Sequence, residues 1–203
     1  MPFTDRLIMQ FAHPRGPLGA LAGVIMAHRS ENVSRGRWAI DRLAPAPDAR
    51  ILELGYGPGV TLRDICRRVP DGHIVAVDSS PVMLRQAGRR NRQFIAAGRL
   101  DLRLGDAAAL DPEIQDLDLI YGFNVWHLWD DGIAVITDLA ARLRPGGQLA
   151  LAYMRPPGGT ITHGQAATRL AIEFSTTTLI HIETQWMSHK TPAVLVTARR
   201  PQS

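Results

Sequence analysis

ILELGYGPGV, residues 51–60, passes from a short apolar run into three closely spaced glycines. The run has the length of a buried strand, and the chain continues with apolar residues at helical spacing: Leu62, Ile65, Cys66 and Val69. Glycine has no Cβ atom, so a strand that turns through glycines into a helix lets the backbone approach a ligand closely. The stretch therefore predicts a parallel sheet with a nucleotide-like ligand at the end of its first strand.

The rest of the chain repeats this alternation of strand and helix. Further strands are predicted at residues 73–78, 100–106, 117–124 and 148–154, and helices at about 61–69, 81–94, 133–143 and 164–174. The runs at 180–186 and 193–199 have only a short connection, which predicts an antiparallel hairpin at the end of the sheet. The expected fold is a Rossmann-like, doubly wound α/β sheet, mostly parallel with a final antiparallel strand, plus N-terminal helices. We expect a helical cap or lid at residues 1–47 and one α/β domain at 48–203.

The composition of the 203 residues is typical of a globular protein, with 45% hydrophobic and 21% charged residues. Cys66 is the single cysteine, which excludes an intramolecular disulfide and a cysteine-rich metal site and favours a reducing compartment. The first ten residues lack the pattern of a secretory signal, and the longest nearly uncharged N-terminal run, residues 16–27, is too short to span a bilayer. We therefore expect a cytoplasmic protein without a transmembrane segment or a metal ion.

The net charge of +4 raises the question of a nucleic-acid partner. Lys190 is the only lysine, and the arginines are scattered along the chain instead of clustered. A binding patch for nucleic acid is therefore not predicted.

The glycine loop differs from the dinucleotide fingerprint. G-x-G-x-x-G requires a glycine where this chain has Val60, and an acidic residue, Glu53, lies two positions before the first glycine. Both features disfavour NAD. Asp78 ends the second strand about 20 residues later, where a carboxylate on the adjacent strand can accept hydrogen bonds from both hydroxyls of a ribose.

The third strand ends in Gly105-Asp106-Ala107, where a carboxylate can receive the exocyclic amine of adenine. Met83, one turn into the next helix, can pack on the adenine face. Taken singly, these residues also fit helix caps and a core methionine. Taken together, they mark successive strand ends along one edge, where open α/β sheets bind their ligands.

From about residue 48 to 200 the chain resembles the class I S-adenosylmethionine (SAM)-dependent methyltransferases, in particular small bacterial members. The resemblance implies that SAM is the cofactor and S-adenosylhomocysteine the product. It implies that Glu53, Gly55, Gly57 and Gly59 hold the methionine portion, that Asp78 binds the ribose, and that Gly105 and Asp106 meet the adenine. Further cofactor contacts are expected from Ser79, Met83, Ala107 and Asn124.

YGFNVWHLWDD, residues 121–131, resembles the family segment that follows the fourth strand and faces both methyl donor and acceptor. His127 is the candidate general base, because imidazole titrates near neutral pH. The alternative is that His127 packs under the loop and hydrogen-bonds backbone. Tyr56 either borders the sulfonium or is only a turn residue. The N-P-P-Y form of enzymes that methylate nucleic-acid bases is absent, which disfavours such substrates.

Three aromatic residues near this segment have two interpretations. They line an aromatic acceptor pocket, or they belong to the core, as aromatic residues after a strand end more often do: Phe123, Trp126 and Trp129.

Three functions remain open from the sequence. The first is methylation of a small-molecule acceptor on O, N or C. The second is methylation of a phospholipid or quinone intermediate, with peripheral membrane contact, because the N-terminal segment loosely resembles methyltransferases of that kind. The third is a SAM-binding or RNA-binding module without catalysis. The acceptor is left open, and so is the choice between monomer and homodimer.

Overall fold

The computed structural model describes residues 30–156, 159–187 and 192–202, with side chains from residue 33 onward. In chain order the elements are α1 (Ser30–Leu43), β1 (Arg50–Leu54), α2 (Val60–Arg68), β2 (His73–Asp78), α3 (Pro81–Ala96), β3 (Leu100–Leu104), β4 (Leu117–Phe123), a 3₁₀ turn (Trp126–Leu128), α4 (Gly132–Arg142), β5 (Leu143–Tyr153), α5 (His163–Ser175), β6 (Ile180–Met187) and β7 (Ala193–Arg199).

The strands form one seven-stranded sheet in the order β3-β2-β1-β4-β5-β7-β6. β7 pairs antiparallel with β5 and β6, and the other neighbours are parallel, which confirms the predicted fold and hairpin. β1 pairs with both β2 and β4. The chain first adds β2 and β3 on one side of β1 and then continues with β4 on its other side, so the switch point of the sheet lies between β1 and β4. Open α/β sheets bind ligands at the carboxyl ends of the strands beside such a switch point.

A hydrophobic core lies on each face of the sheet. Ile51 of β1 contributes to the core under α1, α2 and α3, and its neighbour Leu52 contributes to the core under α4 and α5. This alternation follows from the two-residue period of a strand. The predicted apolar face of α2 is confirmed, because all four of its residues are fully buried: Leu62, Ile65, Cys66 and Val69.

Helix α1 packs against α2 and belongs to the first core. Ala39 and Ile40 are fully buried, and a Cβ atom on Gly36 would lie 2.8 Å from Thr61 Cγ2. The helices therefore touch with little space between their backbones. An exposed ion pair from Arg37 Nε to Asp64 Oδ2, at 3.0 Å, adds little energy by comparison. Residues 1–29 of the predicted cap lie outside the described residues.

Two strands depart from the sequence prediction. β3 ends at Leu104 instead of residue 106, and it lies at the sheet edge, where Leu100 is buried but Leu104 is 52% exposed. β5 begins at Leu143 instead of residue 148, because Leu143 pairs with Leu117 before a register shift. The connection at residues 188–191 of the predicted hairpin lies outside the described residues.

Candidate active site

The three glycines of the β1–α2 loop all have positive φ angles, between 50° and 74°. A Cβ atom on Gly55 would lie 2.2 Å from Val125 Cγ1, and one on Gly59 would lie 2.8 Å from the Cβ of Ala87. Packing therefore requires these two glycines. Gly57 differs, because a Cβ atom there would meet nothing within 4 Å. Gly57 is the glycine that faces open space, where a ligand can approach the backbone.

Asp78 at the end of β2 is hydrogen-bonded to this loop. Its Oδ2 accepts the N–H of Gly57 at 2.8 Å, and its Oδ1 accepts the N–H of Ser80 at 2.9 Å. Burial raises the pKa of Asp78, while both backbone hydrogen bonds oppose the rise. An ionised carboxylate has about four acceptor positions, so two stay available for the hydroxyls of a ligand.

Glu53 lies fully buried under the glycine loop. Its Oε1 accepts the hydroxyl of Thr61 at 2.7 Å, and its Oε2 accepts the hydroxyl of Tyr121. Burial raises the pKa of Glu53 to about 7, the two hydroxyl groups lower it, and the charge of Asp78 raises it. In the described part of the chain no cationic side chain pairs with Glu53. The buried carboxyl group of Glu53 thus has one hydroxyl donor on each oxygen and no cationic partner among the described residues.

The predicted adenine residues lie at the ends of β2 and β3. Asp106 is exposed, and its Oδ1 accepts the N–H of Ala108 at 3.0 Å. Gly105 donates its N–H to the carbonyl of Asp78 at 3.1 Å, which joins the two strand ends. Ala107 is half-buried, and Met83 is buried in the first core with 1% of its surface exposed.

The predicted helix start after β2 is confirmed in its details. Ser80 is the N-cap of α3, with its side chain accepting the N–H of Met83, and Pro81 is the first helical residue. Ser79 is exposed beside it.

Asn124 joins the ends of β4 and β5. Its side-chain amide donates to the carbonyl of Met154 at 2.7 Å, and its Oδ1 accepts the N–H of Met154 at 2.6 Å. The residue has a φ of 55°, which bends the chain sharply after β4. Both polar groups of the Asn124 side chain are therefore engaged in holding the loop.

His127 lies in the 3₁₀ turn that follows. Its ring is half-buried and meets the ring of Tyr153 edge-on at 5.5 Å between centroids. Its Nδ1 is buried and has no hydrogen-bond partner among the described residues, so the backbone contact of the alternative interpretation is absent at that atom. Burial lowers the pKa of His127. The ring is thus neutral at pH 7, with the proton-accepting capacity that a general base requires.

Tyr56 points toward β3. Its side chain is buried, and its hydroxyl donates to the carbonyl of Arg103 at 3.3 Å. Burial and, secondly, the charge of Asp78 raise its pKa, so the hydroxyl stays protonated.

The three aromatic residues of the β4 segment do not lie together. Phe123 packs against the first core, edge-on to Tyr121 at 5.4 Å, whereas Trp126 and Trp129 belong to the second core on the opposite face. The core interpretation therefore holds for Trp126, which is 3% exposed.

The partners of two site residues were not predicted from the sequence. Tyr121 binds Glu53 across 68 positions of sequence, and Glu173 binds Trp126 across 47. Tyr153 and His163, whose rings meet at 5.9 Å, were not predicted either. No local pattern marks such pairs, because they arise only when strands and helices pack together.

The described part of the chain contains no group of three or more His, Cys, Asp or Glu side chains placed to hold a metal ion. Among the helices that the structure describes, none has both the length and the apolar character needed to cross a membrane.

Comparison with known proteins places this geometry in a family. The model of a family described as a methyltransferase domain matches residues 51–147, which include the glycine loop, Asp78 and His127. The uncharacterized methyltransferase YdaC of Bacillus subtilis (strain 168) is 28% identical over 188 residues, which cover 89% of this chain and 98% of that protein. A trans-aconitate 2-methyltransferase of Streptomyces avermitilis is 38% identical over 122 residues, but the match covers only 45% of that enzyme.

The fold has close counterparts among solved structures. A SAM-dependent methyltransferase from Aquifex aeolicus superimposes with a TM-score of 0.72, covering 89% of this chain and 97% of that one at 13% identity. At so low an identity the likeness supports the fold alone. With the family match and the sequence relatives, it leads to one conclusion: the chain belongs to the class I SAM-dependent methyltransferases, and SAM is its cofactor.

Proposed function

We propose that the enzyme methylates an O, N or C atom of a small-molecule acceptor held beside His127. The observation that carries the proposal is the buried Nδ1 of His127, which lacks a hydrogen-bond partner among the described residues and lies after β4, next to the switch point of the sheet. A buried polar atom without a partner is costly in a folded protein. An acceptor hydroxyl or amine that donates to it would remove that cost.

The residues of the glycine loop and the neighbouring strand ends suit SAM. Gly57 offers open space at the loop, Glu53 offers a buried carboxyl group for the amino group, and Asp78 offers acceptors for the ribose hydroxyls. Asp106 is exposed for the amine of adenine. Further contacts are proposed from a set of residues along the same edge: Gly55, Gly59, Ser79, Met83, Gly105, Ala107 and Asn124.

When bound, SAM supplies a methyl group that its sulfonium has already activated. Orientation of the acceptor and exclusion of water then provide most of the acceleration. His127 would accept the acceptor proton, and the ring of Tyr153 would hold the imidazole edge-on. Tyr56 would contribute its apolar ring to the wall of the site, because its hydroxyl is engaged with Arg103.

We further propose that the acceptor carries a carboxylate. The rings of His127, Tyr153 and His163 follow one another at 5.5 Å and 5.9 Å. Burial lowers the pKa of His163, the carbonyl of Pro192 opposes this, and the nearby charges of Arg35 and Arg155 lower it further. Arg35 and Arg155 therefore place positive charge near His163, which the ring of Tyr153 separates from the candidate base. The similarity to a trans-aconitate 2-methyltransferase, whose named substrate is a carboxylic acid, favours the same class.

A methyl-transfer screen tests both parts of the proposal. The enzyme is incubated with SAM labelled in its methyl group and with separate sets of carboxylic acids, phenols, amines and anionic phospholipid vesicles. We expect label on the hydroxyl or amine of a molecule that also carries a carboxylate, with a rate that falls in Arg155→Gln but not in the control Arg144→Gln, an exposed arginine elsewhere on the surface. Label appearing only in the vesicle lipids would replace this proposal with methylation at a membrane surface.

A further inference from the structure

Glu173 is a buried carboxylate that the proposed reaction does not use. It lies on α5, is 7% exposed, and faces the second core. Its Oε2 accepts the indole N–H of Trp126 at 2.5 Å, and its Oε1 accepts the Nε–H of Arg169 at 2.9 Å. Placing a carboxylate in an apolar core is unfavourable unless its partners compensate, and an apolar residue of similar size would fit such a position at least as well. Packing alone therefore does not explain why a carboxylate occupies this position.

The partner of Glu173 adjoins the candidate base. Trp126 is the first residue of the 3₁₀ turn, and His127 is the second. The indole ring is 3% exposed, and the guanidinium of Arg169 lies 5.1 Å from its centroid. One hydrogen bond and one cation–π contact thus fix the direction of the indole. Because the two residues are consecutive in a tight turn, fixing the indole restrains the backbone that carries the ring of His127.

Glu173 also contacts the far end of the same loop. A Cβ atom on Gly132, the first residue of α4, would lie 2.8 Å from Glu173 Oε2. A carboxylate beside the first turn of a helix is favourable, because the helix dipole is positive there. At its near end the loop is held by Asn124 and Met154. Residues 124–132 are thereby fixed at both ends and at Trp126.

We propose that Glu173 is a positioning residue for His127, acting through the indole N–H of Trp126. The inference rests on the proposed function in one respect: His127 is taken as the group that faces the acceptor. The contacts themselves do not depend on that role, so they can be tested without an acceptor.

Three variants isolate the hydrogen bond. Trp126→Phe keeps an aromatic ring and removes the donor, Glu173→Met keeps the volume and removes the acceptor, and Glu173→Gln keeps an oxygen that can accept the indole N–H. Phe174→Leu is the control, because Phe174 is fully buried on the same helix. This variant disturbs the core but leaves Trp126 and Glu173 unchanged.

The measurement is an NMR titration of the histidine rings in the full-length protein with S-adenosylhomocysteine, with the His127 signal identified by its loss in His127→Gln. We expect the pKa of His127 to rise toward its ordinary value in Trp126→Phe and Glu173→Met, because a loosened turn admits water to the ring. The double variant should shift no further than either single one, and Glu173→Gln should stay near the wild type. An unchanged His127 titration in both single variants, or an equal shift in Phe174→Leu, would refute the inference.

A kinetic measurement adds the functional consequence once an acceptor is identified. Loss of the hydrogen bond should lower kcat about tenfold, as expected when a general base is misplaced, and leave the KM for SAM unchanged. Glu173→Gln should recover most of the rate. If no acceptor is found, that result counts against the proposed function. It does not count against the positioning role of Glu173, because the NMR titration needs no acceptor.

Discussion

At the scale of single residues, the hydrogen bond between Gly57 and Asp78 couples the two halves of the proposed cofactor site. Asp78→Ala should weaken binding of SAM by roughly 1.5–3 kcal/mol, the usual range for hydrogen bonds to a charged group. Asp111→Ala is a matched control, because Asp111 accepts the N–H of Glu113 at 2.9 Å in a similar local turn. Calorimetry that finds equal affinity in the two variants would remove Asp78 from the site.

Glu53 makes the folded protein less stable as the pH rises, which is the opposite of the usual effect of a carboxyl group. Burial raises its pKa from 4.5 to about 7, so between these values the folded chain holds a proton that the unfolded chain releases. This contribution to stability is complete below the unfolded pKa and is lost as the pH rises through the folded one. At about 1.4 kcal/mol per pKa unit, the loss is about 3 kcal/mol.

Glu53→Gln tests this dependence, because glutamine keeps an acceptor and cannot ionise. Urea unfolding should find the variant similar to the wild type near pH 4 and more stable than it at about pH 8.5. Asp78 also has a raised pKa, but it is present in both proteins, so the difference between them belongs to Glu53. A difference that does not change with pH would contradict the prediction.

His127 provides the kinetic test at this scale. His127→Ala should lower turnover about 10²–10⁴-fold and leave SAM affinity unchanged, if the ring is a general base. Because burial lowers its pKa, the neutral form persists below pH 6.5, and the wild-type rate should fall only on the acid side of that value. His73→Ala is the control, since His73 is exposed at the opposite, amino end of β2. A fall of less than tenfold would indicate catalysis by positioning alone.

Sequence alone could predict the residues that follow strand ends, because their place depends on local chain order. Asp78 and His127 were located in this way. The neighbours of these residues could not be predicted, because Glu53 meets Tyr121 and Trp126 meets Glu173 only after the sheet and its helices have formed. Nor does the sequence indicate that both polar groups of Asn124 bind Met154.

At the scale of elements, periodicity predicted the helices and buried strands to within a few residues. Two properties of strands were not predicted: the exposure of β3, which depends on its place at the edge, and the start of β5, which depends on a register shift with β4. Both properties belong to the pairing of strands. A sequence pattern taken one strand at a time cannot contain them.

The glycine loop gives a test at this scale. Gly57→Ala puts a side chain on a backbone with φ of 50°, so it should cost about 1 kcal/mol of stability and also obstruct the open space of the site. Gly88→Ala is the control: Gly88 lies within α3, has no positive φ and no neighbour that a Cβ would meet, so stability should rise by roughly 0.5–1 kcal/mol. Thermal unfolding with and without S-adenosylhomocysteine measures both. Equal stabilisation of the two variants by that ligand would show that Gly57 lies outside the site.

At the scale of the whole molecule, α1 connects the N-terminal segment to the proposed acceptor site. Residues near its C-terminal end are buried in the first core, and the charge of Arg35, near its start, acts on His163 at the beginning of α5. Residues 1–29 join α1 at Ser30. We therefore propose that residues 1–47 act as a lid over the acceptor side, where a closing element would exclude water.

The lid and a surface anchor make opposite predictions for residues 1–29. As a lid, this segment should become resistant to trypsin at Arg15 and Arg29 when S-adenosylhomocysteine binds, and its deletion should lower acceptor turnover far more than the unfolding temperature. As an anchor, its basic residues would carry the protein onto anionic vesicles, and salt would release it, because the attraction is screened within about 10 Å at 0.1 M salt. Proteolysis of the ligand-bound and free enzyme, beside vesicle sedimentation at low and high salt, distinguishes the two. Salt-sensitive sedimentation without ligand-dependent protection would reject the lid and favour an acceptor within the membrane surface.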